Sequence, residues 1–235
     1  MRLLTSPLLG TALGTLLLAG CGQEAPEATE SPRASVATQE AEPLTPQEVA
    51  EDTETTSDEN PLAALPAGDY TLEKTHAYVT FSFSHGGLSN PILRFQDFDA
   101  TATVNPEAPE QSALSVTIDP ASIDSAVEAF DEHLKSPDMF DVAQYPEITF
   151  VSTGLQMEGP DSGTLTGDLT MKGVTKPVTL DVVLNGAGEN RDGLPAFGIS
   201  ATGQLDRSEW DLGYAAPFVG TEVDLRIEAE FQRDE

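Results

Sequence analysis

Three histidines, a single cysteine and forty carboxylates are the side chains of this 235-residue chain that could ligate, transfer a proton or attack a substrate. His76, His85 and His133 could in principle gather around a metal ion. No His-x-x-x-His pair and no carboxylate at ligand spacing accompanies them, so no metal centre is expected. No Gly-x-Ser-x-Gly and no phosphate-cradling glycine loop occurs, and no cysteine follows Cys21, so no catalytic residue is assigned and no enzyme is expected. The carboxylates fall mainly at the polar positions of alternating runs, where they solvate a wet face. His85 is different. It ends the apolar face of Val79-Thr80-Phe81-Ser82-Phe83-Ser84-His85, next to Gly86-Gly87, so its ring points the same way as Phe81 and Phe83. Such a residue either holds the polar end of an apolar ligand or is a core histidine bonded to a backbone carbonyl. His76 lies on the opposite alternation unless a bulge intervenes. Asp131 and His133, in Asp131-Glu132-His133-Leu134, are expected to fix a turn by hydrogen bonds.

The elements that must position these groups are strands. From Gly68 onward, apolar residues recur with a period of two: Phe98, Ala100, Ala102 and Val104; Leu114, Val116 and Ile118; Leu165, Leu169 and Met171; Val178 to Leu184; Phe197, Ile199, Ala201 and Leu205. The last run sets Val223, Leu225, Ile227, Ala229 and Phe231 against Glu222, Asp224, Arg226, Glu228 and Glu230. Gly86-Gly87, Asn105-Pro106, Gly159-Pro160-Asp161 and Lys172-Gly173 supply turns short enough to make neighbours antiparallel. One helical interruption is expected between Pro120 and Pro146, with Ile123, Val127, Phe130 and Leu134 on one face and Pro137 ending or kinking it. About eight strands, each dry on one side, can close into a barrel or pack as a two-sheet sandwich, and the period alone does not choose.

Two stretches carry more specific information. Residues 130–153 read Phe-Asp-Glu-His-Leu-Lys-Ser-Pro-Asp-Met-Phe-Asp, then Tyr145-Pro146-Glu147-Ile148-Thr149-Phe150-Val151-Ser152-Thr153; residues 167–178 read Gly-Asp-Leu-Thr-Met-Lys-Gly-Val-Thr-Lys-Pro-Val. With Arg207-Ser208-Glu209-Trp210-Asp211-Leu212-Gly213, they resemble the YceI-like family of periplasmic polyisoprenoid-binding proteins over about residues 67–231. Phe130 stands where the family usually has Arg. The resemblance implies an all-β, lipocalin-like antiparallel barrel with a short helical segment over one end. It also implies a cavity for a long-chain lipid lined by Phe81, Phe83, His85, Phe140, Ile148, Phe150, Leu165, Leu169, Met171 and Trp210. Small inward residues at Ala100, Ala102, Gly167, Ala201 and Gly203 agree with a hollow interior, though they also fit the taper of a filled barrel. Trp210 fits either a cavity wall or a plug. The resemblance further suggests a homodimer.

The beginning of the chain bears on location. Residues 1–20 carry Arg2 and then an apolar run, too short to span a bilayer and typical of a secretory signal. Leu18-Ala19-Gly20-Cys21 resembles the lipobox of bacterial lipoproteins, so Cys21 is expected to be acylated and to anchor the chain. Gly22 in place of an acidic retention signal favours the outer membrane, on its periplasmic face. Residues 21–66 are expected to be an acidic linker. Between Gly22 and Asn60, eleven carboxylates stand against Arg33, a net −10; setting this and Arg2 aside from the total of −29 leaves −20 on residues 61–235. Such a body repels phosphate, so nucleic acid is not an expected partner.

The sequence therefore predicts a membrane-anchored lipoprotein whose barrel domain, residues 67–235, binds an isoprenoid-type lipid and needs no cofactor. The alternative is an envelope stress or structural protein with a plugged barrel, acting through a protein partner. In a plugged barrel Trp210, Phe197 and Phe231 meet at the centre. An isoprenoid-modifying enzyme is a more distant third reading.

Overall fold

Alternation dictates pleated ribbons with one dry face, and a dry face must be covered. A computed structural model of the chain describes residues 60–233, in which the cover is closure of the sheet upon itself. In chain order the strands are β1 Gly68–Leu72, β2 Tyr78–His85, β3 Ile92–Phe95, β4 Phe98–Val104, β5 Ala113–Ile118 and β6 Ile123–Asp124. After helix α1, Glu128–Lys135, come β7 Ile148–Met157, β8 Ser162–Met171, β9 Val174–Glu189, β10 Pro195–Asp206 and β11 Val219–Gln232. Neighbours run β1-β4-β5-β7-β8-β9-β10-β11, all antiparallel, and β11 returns to β1 through Thr71↔Gln232 and Leu72↔Phe231. That closed ring of eight is the expected barrel, and the sandwich is excluded.

Toward the other end the wall is built differently. Between Val223 and Glu228, β11 pairs with β2 instead of β1; β2 then pairs with β3, and β3 with β6. Each of these short strands continues a barrel strand along the chain, β1 into β2, β3 into β4 and β5 into β6, so three staves of the barrel extend past the closed ring. β6 has no strand on its far side among the described residues, and the helix α1 follows there. The barrel is narrow at the β1 end and splayed at the β2 end.

The helix is shorter than the apolar spacing suggests. Ile123 is not on it; it lies in β6 opposite Phe95 and is 3% exposed. The chain turns into α1 only after the Asp131 carboxylate accepts from the Ser125 amide at 2.8 Å and from its hydroxyl at 2.5 Å. Leu134 alone on the helix is fully buried, and the helix stops at Lys135, where the Ser136 hydroxyl donates to the His133 carbonyl before Pro137.

Aromatics cluster toward the narrow end. Phe197 stacks on Phe231 with ring centroids 5.0 Å apart, and Tyr70 meets Phe197 edge-on at 5.4 Å. Residues 60–66, assigned to the linker by composition, belong to the folded body here: Leu65 is 4% exposed and Asn60 caps the turn Pro61–Ala64. Their uncharged Pro-Leu-Ala-Ala-Leu-Pro sequence differs from the acidic stretch before it. Trp210 sits in a different apolar cluster and donates to the Leu169 carbonyl at 3.1 Å. The three aromatics that would plug a barrel do not meet.

Candidate functional site

Inward side chains from the strands leave three successive voids along the barrel. The widest, about 590 Å³, lies at the splayed end under α1 and the loop between β10 and β11. Next comes a central section of about 140 Å³, bounded by apolar residues alone. A third of about 120 Å³ lies at the narrow end, where Leu62 forms part of its wall. Phe81, Phe95, Met171, Leu205 and Leu225 border both of the first two, and Leu114, Leu165, Val182, Ile199 and Phe231 border both of the last two. They make one apolar file along the barrel axis.

Nine of the ten residues named from the sequence face this file. Phe83, His85 and Phe140 line the wide section; Phe81 and Met171 line the wide and central ones; Ile148, Phe150 and Leu169 line the central one; Leu165 lines the central and narrow ones. Trp210 is the exception. At 1% exposure, with its indole nitrogen bonded to Leu169, it packs behind the wall rather than forming it. The small inward residues also have a more exact role than leaving space. A Cβ on Gly167 would lie 2.2 Å from the Phe150 ring, and one on Gly203 would lie 2.6 Å from Leu180, so these glycines seat neighbouring side chains.

The polar groups concentrate at the wide end. His85 and His133 both line it, His85 edge-on to Phe218 at 5.1 Å and His133 edge-on to Tyr214 at 5.0 Å. His133 thus faces the cavity, while the turn it was expected to fix is held by the side chains of Asp131, Asp124 and Ser125. Helix periodicity could have shown this, since His133 lies one turn from Phe130, which also lines the wide section. Where the family has Arg, this chain therefore presents an apolar ring. Arg207 was not recognised from the sequence as a site residue. Arg207 is 7% exposed and lines the wide section, and its guanidinium donates to the carbonyls of Gly220 (2.9 Å), Val219 (2.9 Å), Tyr214 (3.2 Å) and Leu212, binding the loop that borders the cavity. Burial pushes its pKa down from the usual value, the nearby Asp206 opposing. Among the described residues no Asp or Glu lines the wide section.

His76 lies elsewhere. Exposed on the outside of the barrel, its Nδ1 is 2.6 Å from Glu73 and 3.9 Å from Glu230. Among the described residues these three form one grouping with metal-type ligand atoms, which local spacing does not reveal because Glu230 comes from the last strand. The Thr75 hydroxyl, ahead of the other contacts, holds the Glu73 carboxyl below its usual range.

A closed antiparallel barrel, hollow along its axis and flanked by a short helix at its wider end, is the architecture of a calyx-type barrel protein. Residues 70–231 match the model of the YceI-like domain, and the chain belongs to the YceI-like family. Protein YceI of Escherichia coli O17:K52:H18 is 38% identical over 166 residues, 70% of this chain and 86% of that relative. A UPF0312 protein of Pseudomonas putida strain GB-1 is 37% identical over 170 residues, 71% of this chain and 88% of the other. Among solved structures, the YceI protein of Campylobacter jejuni is 30% identical with a TM-score of 0.59, over 63% of this chain and 88% of that one. BcnA of Burkholderia cenocepacia, 23% identical, shares the fold at a TM-score of 0.62, over 68% of this chain and 98% of that one.

Proposed function

We propose that this protein binds a long-chain isoprenoid or similar single-chain amphiphile inside the barrel, for sequestration or transport. The observation that carries the reading is the apolar file, which runs from a wide section containing two imidazoles to a narrow section walled in part by Phe197 and Phe231. Such a shape takes an elongated apolar tail, with the polar end of the ligand beside His85 and His133. Burial of apolar surface, worth roughly 25 cal/mol per Å², is the driving force. A solved domain from Saccharophagus degradans that shares this fold, at 12% identity and a TM-score of 0.53, is described as polyisoprenoid binding. The proposal extends to location: Cys21, outside the described residues, is acylated and tethers the barrel to the periplasmic face of a bacterial membrane.

The test is native mass spectrometry of freshly purified protein with identification of any lipid carried, alongside the Phe83→Asp variant. Phe83 lines the wide section and is 8% exposed. A carboxylate there costs several kcal/mol unless water or a proton reaches it, and an open cavity can admit water. The expected result is a folded barrel by circular dichroism with its lipid lost. Folded variant protein that retains lipid at wild-type stoichiometry removes the proposed lining, and wild-type protein that carries and takes up no lipid removes the function.

A further inference from the structure

We propose that the splayed end of the barrel is a bilayer-docking ring, through which ligand passes between membrane and cavity without crossing water. The inference rests on the lipid-binding reading but on separate residues. Five of the eight large hydrophobic side chains exposed among the described residues surround this one opening: Leu88 (86% exposed), Ile92 (73%), Phe218 (59%), Val127 (56%) and Tyr214 (52%). Ile92, Val127 and Tyr214 line the wide section itself. Phe218 leans on His85, and Leu88 follows in the turn whose amide bonds the His85 carbonyl at 3.0 Å. The turn is shaped for that aromatic: Gly86 has φ of 61° and a Cβ there would lie 2.8 Å from the Phe218 ring. An apolar rim of this kind on an otherwise acidic body marks an interaction surface.

Its occupant follows from what lies behind it. The rim opens into an apolar cavity section lined, among the described residues, by no carboxylate, so seating it among acyl chains sets the void in contact with its ligand's own solvent. A second copy seated there would instead seal the cavity. The chain enters the described body at the opposite end, where Asn60 caps the turn Pro61–Ala64 and Leu62 lies against the narrow section. The residues between Cys21 and Asn60 have an extended contour of about 130 Å, enough to pass the barrel and leave the opening free to face the membrane.

The experiment uses the chain from Gly22 onward, which keeps the whole described body and carries no acyl group, floated with phosphatidylcholine vesicles. The wild type is expected to rise with the vesicles, and to do so undiminished at about 1 M salt, where charge attraction is screened. Leu88→Asp and Ile92→Asp together should reduce the vesicle-bound fraction at least tenfold, whereas Val151→Asp, 51% exposed on β7 away from the opening, should not. Native mass spectrometry on each preparation reports the cavity lipid separately. Wild type that stays at the bottom while still carrying cavity lipid overturns the docking ring and spares the lipid reading; absence of cavity lipid overturns the reading itself. Flotation unaffected by the rim substitutions overturns the proposal, as does a wild-type dimer that those substitutions convert to monomer without change in flotation.

Discussion

Arg207, which lines the wide section, shows at the scale of one residue how a buried charge can also build the loop beside a site. Four backbone carbonyls take the place of water around the guanidinium, and all belong to residues 212–220, which carry Tyr214 and Phe218 to the opening. A guanidinium presents five donors in a planar fork; an ammonium presents three from a point. Arg207→Lys should therefore keep the charge and lose the loop. With buried carbonyls left unpaired at about 1–3 kcal/mol each, a loss of about 3 kcal/mol is expected, lowering Tm by roughly 6–12 °C in a domain of this size. Thermal unfolding of the variant measures it, and a Tm within about 2 °C of wild type would mean that the loop is held by other contacts.

At the scale of elements, the staves β2, β3 and β6 are held by polar contacts as well as by packing. Asp124 in β6 accepts from the Ala126 amide at 2.9 Å, from Gln96 at 2.7 Å and from Arg94 Nε at 2.9 Å, joining β3 to β6 and to the entry of α1. The Ala126 amide first, then Gln96 and Arg94, hold the Asp124 carboxyl below its ordinary range. Its folded pKa thus lies under the unfolded value of about 3.9, so its contribution is complete above that value and disappears as pH falls through the lower folded pKa. Protection of the β3 and β6 amides, taken relative to the intrinsic exchange rate at each pH, should accordingly fall below about pH 4 in the wild type. Asp124→Asn should exchange faster at neutral pH and show a flatter acid limb; identical profiles for the two proteins would contradict the assigned clamp.

At the scale of the molecule, acidity and anchoring belong together. A body at −20 is repelled by the anionic lipid of a bacterial membrane, against which the apolar rim alone does not hold it, so covalent attachment is what would keep it there, whereas uncharged phosphatidylcholine leaves the rim unopposed. If Cys21 carries the acyl chains, Cys21→Ser should move the protein from the membrane pellet to the soluble periplasmic fraction. Cell fractionation with immunodetection decides this, and a variant that remains in the pellet as the wild type does refutes acylation at Cys21 as the anchor.

Much of the barrel was legible because a strand's dry face is written locally, in the alternation of Val223 to Phe231 or of Phe98 to Val104. The inward direction of Phe81, Phe83 and Phe150 follows from that pattern and a motif, and the structure keeps them on the cavity wall. Alternation says which way a side chain points, and it is silent on what stands opposite. Trp210 therefore read equally as wall or plug until packing placed it behind Leu169. Gly167 read as an empty position until the fold laid Phe150 across it. Ile123 fitted a helical stripe, yet pairing with Phe95, reached through the bend between β3 and β4, drew it into a strand. Arg207 stood in a family motif but its role gave no signal, since its partners are backbone carbonyls, which every residue has and no sequence pattern marks. The sequence by itself determined the strands, their inner faces and the family. Only the tertiary structure decided the split of β11 between β1 and β2, and with it the wide opening, because that choice depends on which edges meet in space when the sheet closes.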